Sequence, residues 1–185
     1  MLNEDSIKLN SIPMDNHSDK PPHLSIDLAH LSSLQDALNY HFKDKILLLQ
    51  ALTHSSFAYE STEKDMSDNQ RLEFLGDSIL NMVTAEYLYE KHPTFSEGEL
   101  TRLRALLVNR DNLFKKASQI NLGQYLLLGK GEKKSGGRQN PTNLVGSLEA
   151  IIAAIYLDSD FNTSQRFIVQ MIIAGDNLCP APKPL

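Results

Sequence analysis

The sequence predicts an all-α fold of seven to nine helices. Apolar residues recur at three- and four-residue spacing over most of the chain, as on one face of a helix. Apolar–polar alternation, the mark of a strand, never holds for more than a few residues. Helix start and stop signals bracket the periodic segments. With 185 residues, 41% of them hydrophobic, the chain can bury one good core and reads as one domain. That domain is placed at 26–175, between a polar leader at 1–25, which carries Pro21-Pro22 and no apolar period and is read as disordered, and a Pro-rich tail at 176–185.

Leu31, Leu34 and Leu38 lie at helical spacing. Asp44 can cap a helix from Lys45 to about Thr53. Tyr59 to Asp68 is acidic and reads as a loop. A long helix from about Asn69 to Lys91 stops before Pro93, with Leu72, Leu75, Ile79, Leu80, Met82 and Val83 on a broad apolar face. Ser96 and Glu99 form a capping box for a helix to Val108, whose Leu100, Leu103, Leu106 and Leu107 face a core. Asp111-Asn112 can cap the next helix, which runs through Gln119 and stops near Gly123. Gly129 to Asn140 reads as a Gly-rich loop in which four cations against Glu132 leave a local charge of +3. Pro141 suits the first turn of a helix to about Leu157. That helix is apolar nearly all round and should be central and buried. A last helix is expected from about Thr163 to Ala174.

The net charge of −5 argues against a generally basic nucleic-acid binder and leaves local patches open. One cysteine, Cys179, excludes an internal disulfide and fits a reducing compartment. The chain opens without a signal-peptide pattern, and its most apolar stretch, Ala150 to Leu157, is too short to span a bilayer. A soluble cytoplasmic protein without membrane or organic cofactor is the expectation.

The run Asn69-Gln-Arg-Leu-Glu-Phe-Leu-Gly-Asp-Ser-Ile-Leu80 sets Glu73 and Asp77 four residues apart on one helix face. Two carboxylates there repel, and a divalent cation is the simplest group to offset them. Mg²⁺ is typically held by one or two carboxylates, with water and substrate phosphate completing its shell. Glu149 stands alone among aliphatics on the helix expected to be buried. An isolated buried carboxylate needs either a metal or a salt bridge, for which Arg71 and Arg104 are the candidates. No Ser-His-Asp arrangement surrounds Ser78 or Ser147, so serine nucleophile chemistry has no support. His54 is read as a hydrogen-bonding residue at a helix end.

The same run resembles the signature of the ribonuclease III catalytic domain. The resemblance extends through Leu52-Thr-His-Ser55, Glu97-Gly-Glu-Leu100, Lys134-Ser-Gly-Gly137 and Glu149-Ala-Ile-Ile152, in the family's order and spacing. It implies a dimeric, Mg²⁺-dependent endoribonuclease acting on double-stranded RNA, with Mn²⁺ able to substitute. Glu73, Asp77 and Glu149 take the family's metal positions, with Asp77 and Glu149 the most critical for catalysis. Gln70 falls where the family often has glutamate. Glu97 matches an acid thought to reach RNA or metal from the partner subunit. Phe74 matches an aromatic that projects into a pocket of the second subunit of a homodimer. Lys134 and Arg138, in the basic loop, suit contact with the RNA backbone.

The sequence departs from the family's Ala-Asp-x-x-Glu-Ala at Gly146, where the aspartate would stand. Ser147 lies about 100° round the helix and is a weak Mg²⁺ ligand; a water in the space left by Gly146 is the better substitute. Reduced or absent hydrolysis is expected. Two further readings follow: a pseudoenzyme that binds structured RNA, and an interaction module that pairs with an active partner. Family members usually carry a double-stranded-RNA-binding domain after the catalytic part, and this sequence ends soon after its last expected helix. Weaker, more salt-sensitive RNA binding is the corresponding expectation.

Overall fold

The computed structural model describes residues 28–61 and 67–174. The expected leader, the Pro-rich tail, Cys179 and part of the acidic loop at 59–68 lie outside them. Among the described residues the chain forms nine α-helices and no strand. No helix there is long and apolar enough to cross a membrane.

Helices α1 (Leu28–Leu38), α2 (Lys45–Leu52), α4 (Gln70–Lys91), α5 (Glu97–Leu107) and α8 (Pro141–Asp158) fall where the sequence puts them. The start signals read for α2, α5 and α8 are in place. The Asp44 carboxylate accepts from the Ile46 amide at 2.8 Å. Ser96 and Glu99 close the capping box, with the Ser96 amide 2.8 Å from Glu99 Oε2. Pro141 occupies the first turn of α8, and Asn140 Oδ1 accepts from Thr142.

Five local expectations are corrected. Residues Ser55–Glu60 form a short helix, α3, capped by His54, whose Nδ1 accepts from the Ser56 amide. Helix α6 (Arg110–Gln119) is capped by Asn109, whose Oδ1 accepts from Asn112 at 2.8 Å; Asp111 sits inside the first turn. The left-handed residue after α6 is Asn121 (φ 52°), and Gly123 serves instead for close approach, since a Cβ there would lie 2.0 Å from the Arg138 carbonyl oxygen. The Gly-rich stretch is not simply a loop. It holds α7 (Lys130–Lys134) and a 3₁₀ turn at Gly137–Gln139. Glu60 caps α7 from a distance, its carboxylate accepting from the Lys130 amide at 2.9 and 3.0 Å. The last helix, α9 (Phe161–Ile168), starts earlier than expected because Asp160 caps it. It then relaxes into a π turn over Val169–Ile173.

Helix α8 is the axis of the molecule. It packs most extensively against α4 and also carries α2, α6 and α9. Leu148, Ile151, Ile152, Ala153, Ala154 and Ile155 are wholly buried, as an all-round apolar helix requires. Leu103 and Leu107 of α5 join the core, whereas Leu106 is exposed. Met82, expected on the apolar face of α4, is 59% exposed.

The α4–α8 crossing is close enough to need glycine. A Cβ on Gly76 would stand 1.8 Å from the carbonyl oxygen of Glu149, a backbone atom with no freedom to retreat. Beside this crossing, an isolated parallel bridge joins Thr53 to Leu127. Buried Ser147 donates to the Ala51 carbonyl at 2.6 Å.

Candidate acidic site at the crossing of α4 and α8

Glu73 and Asp77 stand one turn apart on α4, either side of Gly76, while Glu149 is on α8 at the residue Gly76 touches. The close crossing therefore sets the acid-bearing turns against each other. Glu149 feels both of the other carboxyls. Burial, then the charge of Asp77, then that of Glu73, push Glu149 from its ordinary 4.5 up to about 7. Burial and Asp77 likewise raise Glu73, against a smaller opposing effect of His54. Asp77 is oriented by Asn81, whose Nδ2 donates to Oδ1 at 2.9 Å.

No Lys or Arg among the described residues forms an ion pair with this group. Neither Arg71 nor Arg104 supplies the salt bridge considered for Glu149. Three hard oxygen donors, each disfavouring charge on another, fit a divalent cation in chemical type. Yet among the described residues no three His, Cys, Asp or Glu side chains stand ready to hold a metal ion.

Gly146 is part of the reason. A Cβ built on it would meet Glu73 Oε2 at 2.7 Å, Cδ at 2.8 Å and Oε1 at 3.0 Å. The Glu73 carboxyl thus fills the space beside the bare Cα, where a water had been expected. Ser147 points away, into its bond with Ala51.

Beside these acids lies a pocket of about 280 Å³, lined by Glu73, Gly146, Glu149, Arg110 and Thr142 among others. Arg110 is the one cation on its wall, and its Nη2 donates to Thr142 Oγ1. The sequence reading passed over Arg110, which looks like an ordinary surface residue at a helix start. It also did not anticipate that His54 lies close enough to act on Glu73.

The remaining candidates lie elsewhere. Gln70 is exposed at the start of α4, with its amide bonded to Asp68 Oδ1. Glu97 is in the first turn of α5, where its Oε1 accepts from Thr101. It lines a separate groove with Tyr89 and Arg104, so one protomer does not bring it to the three acids. Lys134 ends α7 and is exposed. Arg138 donates from Nη1 to the carbonyls of Gly123 and Gln124 at 2.6 and 2.7 Å, a bracing role for the turn. Phe74 points out of α4 and is 77% exposed.

An all-helical domain with carboxyls crowded at one buried helix crossing is the class that fold and site define together. The Ribonuclease-III-like family model matches residues 44–175. Ribonuclease 3 of Bacillus cereus (strain G9842) is 44% identical over 138 residues, which cover 75% of this chain and 56% of the relative. Ribonuclease 3 of Bacillus anthracis (strain A0248) matches to the same extent. The chain thus spans little more than half the length of the curated relatives it matches. Two solved structures of the nuclease domain of ribonuclease III from Campylobacter jejuni are also similar. One, described for flexibility in a region involved in dimer formation, has a TM-score of 0.71 at 42% identity, covering 77% of this chain and 95% of that one. The other has a TM-score of 0.69 at 41% identity, covering 79% and 98%. The chain belongs to the ribonuclease III family.

Proposed function

We propose that this domain is a divalent-metal-dependent endoribonuclease that hydrolyses phosphodiester bonds in double-stranded RNA and works as a homodimer. One observation carries the reading. Glu149 sits on the most buried helix of the chain, raised to about 7 by burial and two neighbouring acids, with no cationic partner among the described residues. A structural carboxylate would be paired; a metal ligand is expected to lack its counter-charge until the ion binds.

Glu73, Asp77 and Glu149 would hold Mg²⁺, with Mn²⁺ as a substitute. The bound ion supplies the Lewis acidity that in-line hydrolysis of a phosphodiester needs. The protein's own part is positional. Gly76 lets α8 approach α4 until Glu149 faces Asp77, and Asn81 fixes the Asp77 carboxyl. Glu73 is the adjustable member, because it must leave the surface of Gly146 to join the other two.

That requirement favours a second reading, a catalytically inactive relative that binds structured RNA or pairs with an active partner. Incubation of long duplex RNA with the protein and Mg²⁺ or Mn²⁺ separates the two. Short fragments that disappear in Glu149→Gln support the nuclease; a retarded complex without fragments supports the binder. Gly146→Asp should then raise cleavage by about a hundredfold, the scale of one critical electrostatic group, if the absent acid is what limits the site.

A further inference from the structure

Arg110 stands at an unfavourable place. It is the first residue of α6, directly after the Asn109 cap. A cation there opposes the positive end of the helix dipole. Thr142, which accepts from its guanidinium, is in the first turn of α8, so a second helix start lies alongside. Residues that break a local rule without local compensation are commonly functional.

The pocket explains the placement. Gly146 forms its buried floor, Glu73 and Glu149 are half-buried on its walls, and Arg110 and Thr142 are exposed at its rim. The absence of a side chain at residue 146 leaves the space that the Glu73 carboxyl takes on the pocket wall. One nitrogen of Arg110 engages Thr142, which fixes the direction of the planar fork, and no carboxylate among the described residues lies within ion-pairing distance of it. A guanidinium so held is matched to a phosphate oxygen pair. The chain carries a net charge of −5, so the few cations near the acids must do most to attract an anionic backbone. Arg138, the cation expected for this task in the neighbouring turn, braces backbone carbonyls instead.

We propose that Arg110, steadied by Thr142 at the rim of the Gly146 pocket, binds an RNA phosphate next to the one placed at Glu73, Asp77 and Glu149. The inference rests on the duplex-RNA reading above and adds the residue that sets the register of the RNA backbone in the pocket. Arg110 is a substrate contact at the rim, outside the acid cluster.

The test is duplex-RNA binding by the full chain with Mg²⁺ present, measured by fluorescence anisotropy across a series of KCl concentrations. Every protein carries Glu149→Gln so that cleavage cannot interfere. Arg110→Gln keeps an N–H donor on a shorter side chain and removes the charge. It should weaken binding several-fold and lower the slope of log affinity against log salt by about one per phosphate contacted. Arg110→Lys should restore most of the slope. Equal slopes for the Arg110→Gln variant and its parent would overturn the assignment while leaving the duplex-RNA reading intact. A parent that fails to bind duplex RNA at low salt would overturn both. Thermal unfolding of each variant confirms that the comparison is between folded proteins.

Discussion

Glu149 is the residue whose protonation the fold controls most strongly. Its folded value of about 7 lies above its ordinary 4.5. For a group raised on folding, the stabilising effect is complete below the unfolded value and is lost as the pH climbs through the folded one. Metal-free protein should therefore melt at a lower temperature at about pH 8 than at about pH 5 as far as this group is concerned. Glu149→Gln should be more stable than the parent at the higher pH and nearly equal to it at the lower. Calorimetric melts in chelator at both pH values check this; an equal effect at both would remove the buried acid as the cause. Gly146 was legible in the sequence as a departure from the family pattern. What fills the space beside it was not. That depends on the rotamer of Glu73, which no spacing rule encodes. Arg110 was illegible for a related reason, since a charged residue at a helix start reads as solvated until the neighbouring helix is seen.

At the level of the helices, the α4–α8 crossing and the clamp at the end of α8 can be tested separately. Gly76→Ala should destabilise the domain by about 3 kcal/mol or more, at the upper end of overpacking costs, because the added methyl meets a backbone carbonyl. Gain of stability from better helix propensity, about 1 kcal/mol, is too small to reverse the sign. Chemical denaturation measures the difference directly. At the other end of α8, Asp158 accepts from the Tyr40 hydroxyl at 2.6 Å and from the amides of Lys43 and Asp44 at 3.0 and 2.8 Å. Burial pushes Asp158 up, but these hydrogen bonds outweigh it, so its carboxyl titrates below its ordinary 3.8. Tyr40 is correspondingly raised to about 12, first by burial and then by that bond. A depressed acid stabilises the fold above its unfolded value and ceases to as the pH falls through the folded one. Asp158→Asn should thus lower the melting temperature at neutral pH and flatten the loss of stability below about pH 4. An unchanged acid limb would show that the clamp contributes nothing. The long helices and most of their caps were readable from period and capping residues alone. Helices α3 and α7 were not, because they are short and held by partners remote in sequence, Ser56 and Glu60 meeting Gly129 and Lys130.

For the whole molecule, the exposed apolar residues of α4 point to assembly. Phe74, Met82 and Tyr89 are 77%, 59% and 74% exposed in the protomer. If the proposed homodimer forms through this face, Phe74→Ala should convert it to a monomer by analytical ultracentrifugation while changing the protomer's own melting little, since an exposed ring contributes little to its fold. A variant that stays dimeric would place the two-fold contact elsewhere.

The contact between Gly76 and the Glu149 carbonyl joins the acidic site to the hydrophobic interior without an intervening loop. In the proposed site the spacing of the acids is accordingly a property of helix docking. Core residues such as Leu80 and Ile152, wholly buried on α4 and α8, would reset the spacing of the proposed ligands if they were changed, by sliding one helix along the other. A change of ion preference in the proposed site would accordingly be sought among those interior side chains, where small adjustments move the acids as a unit.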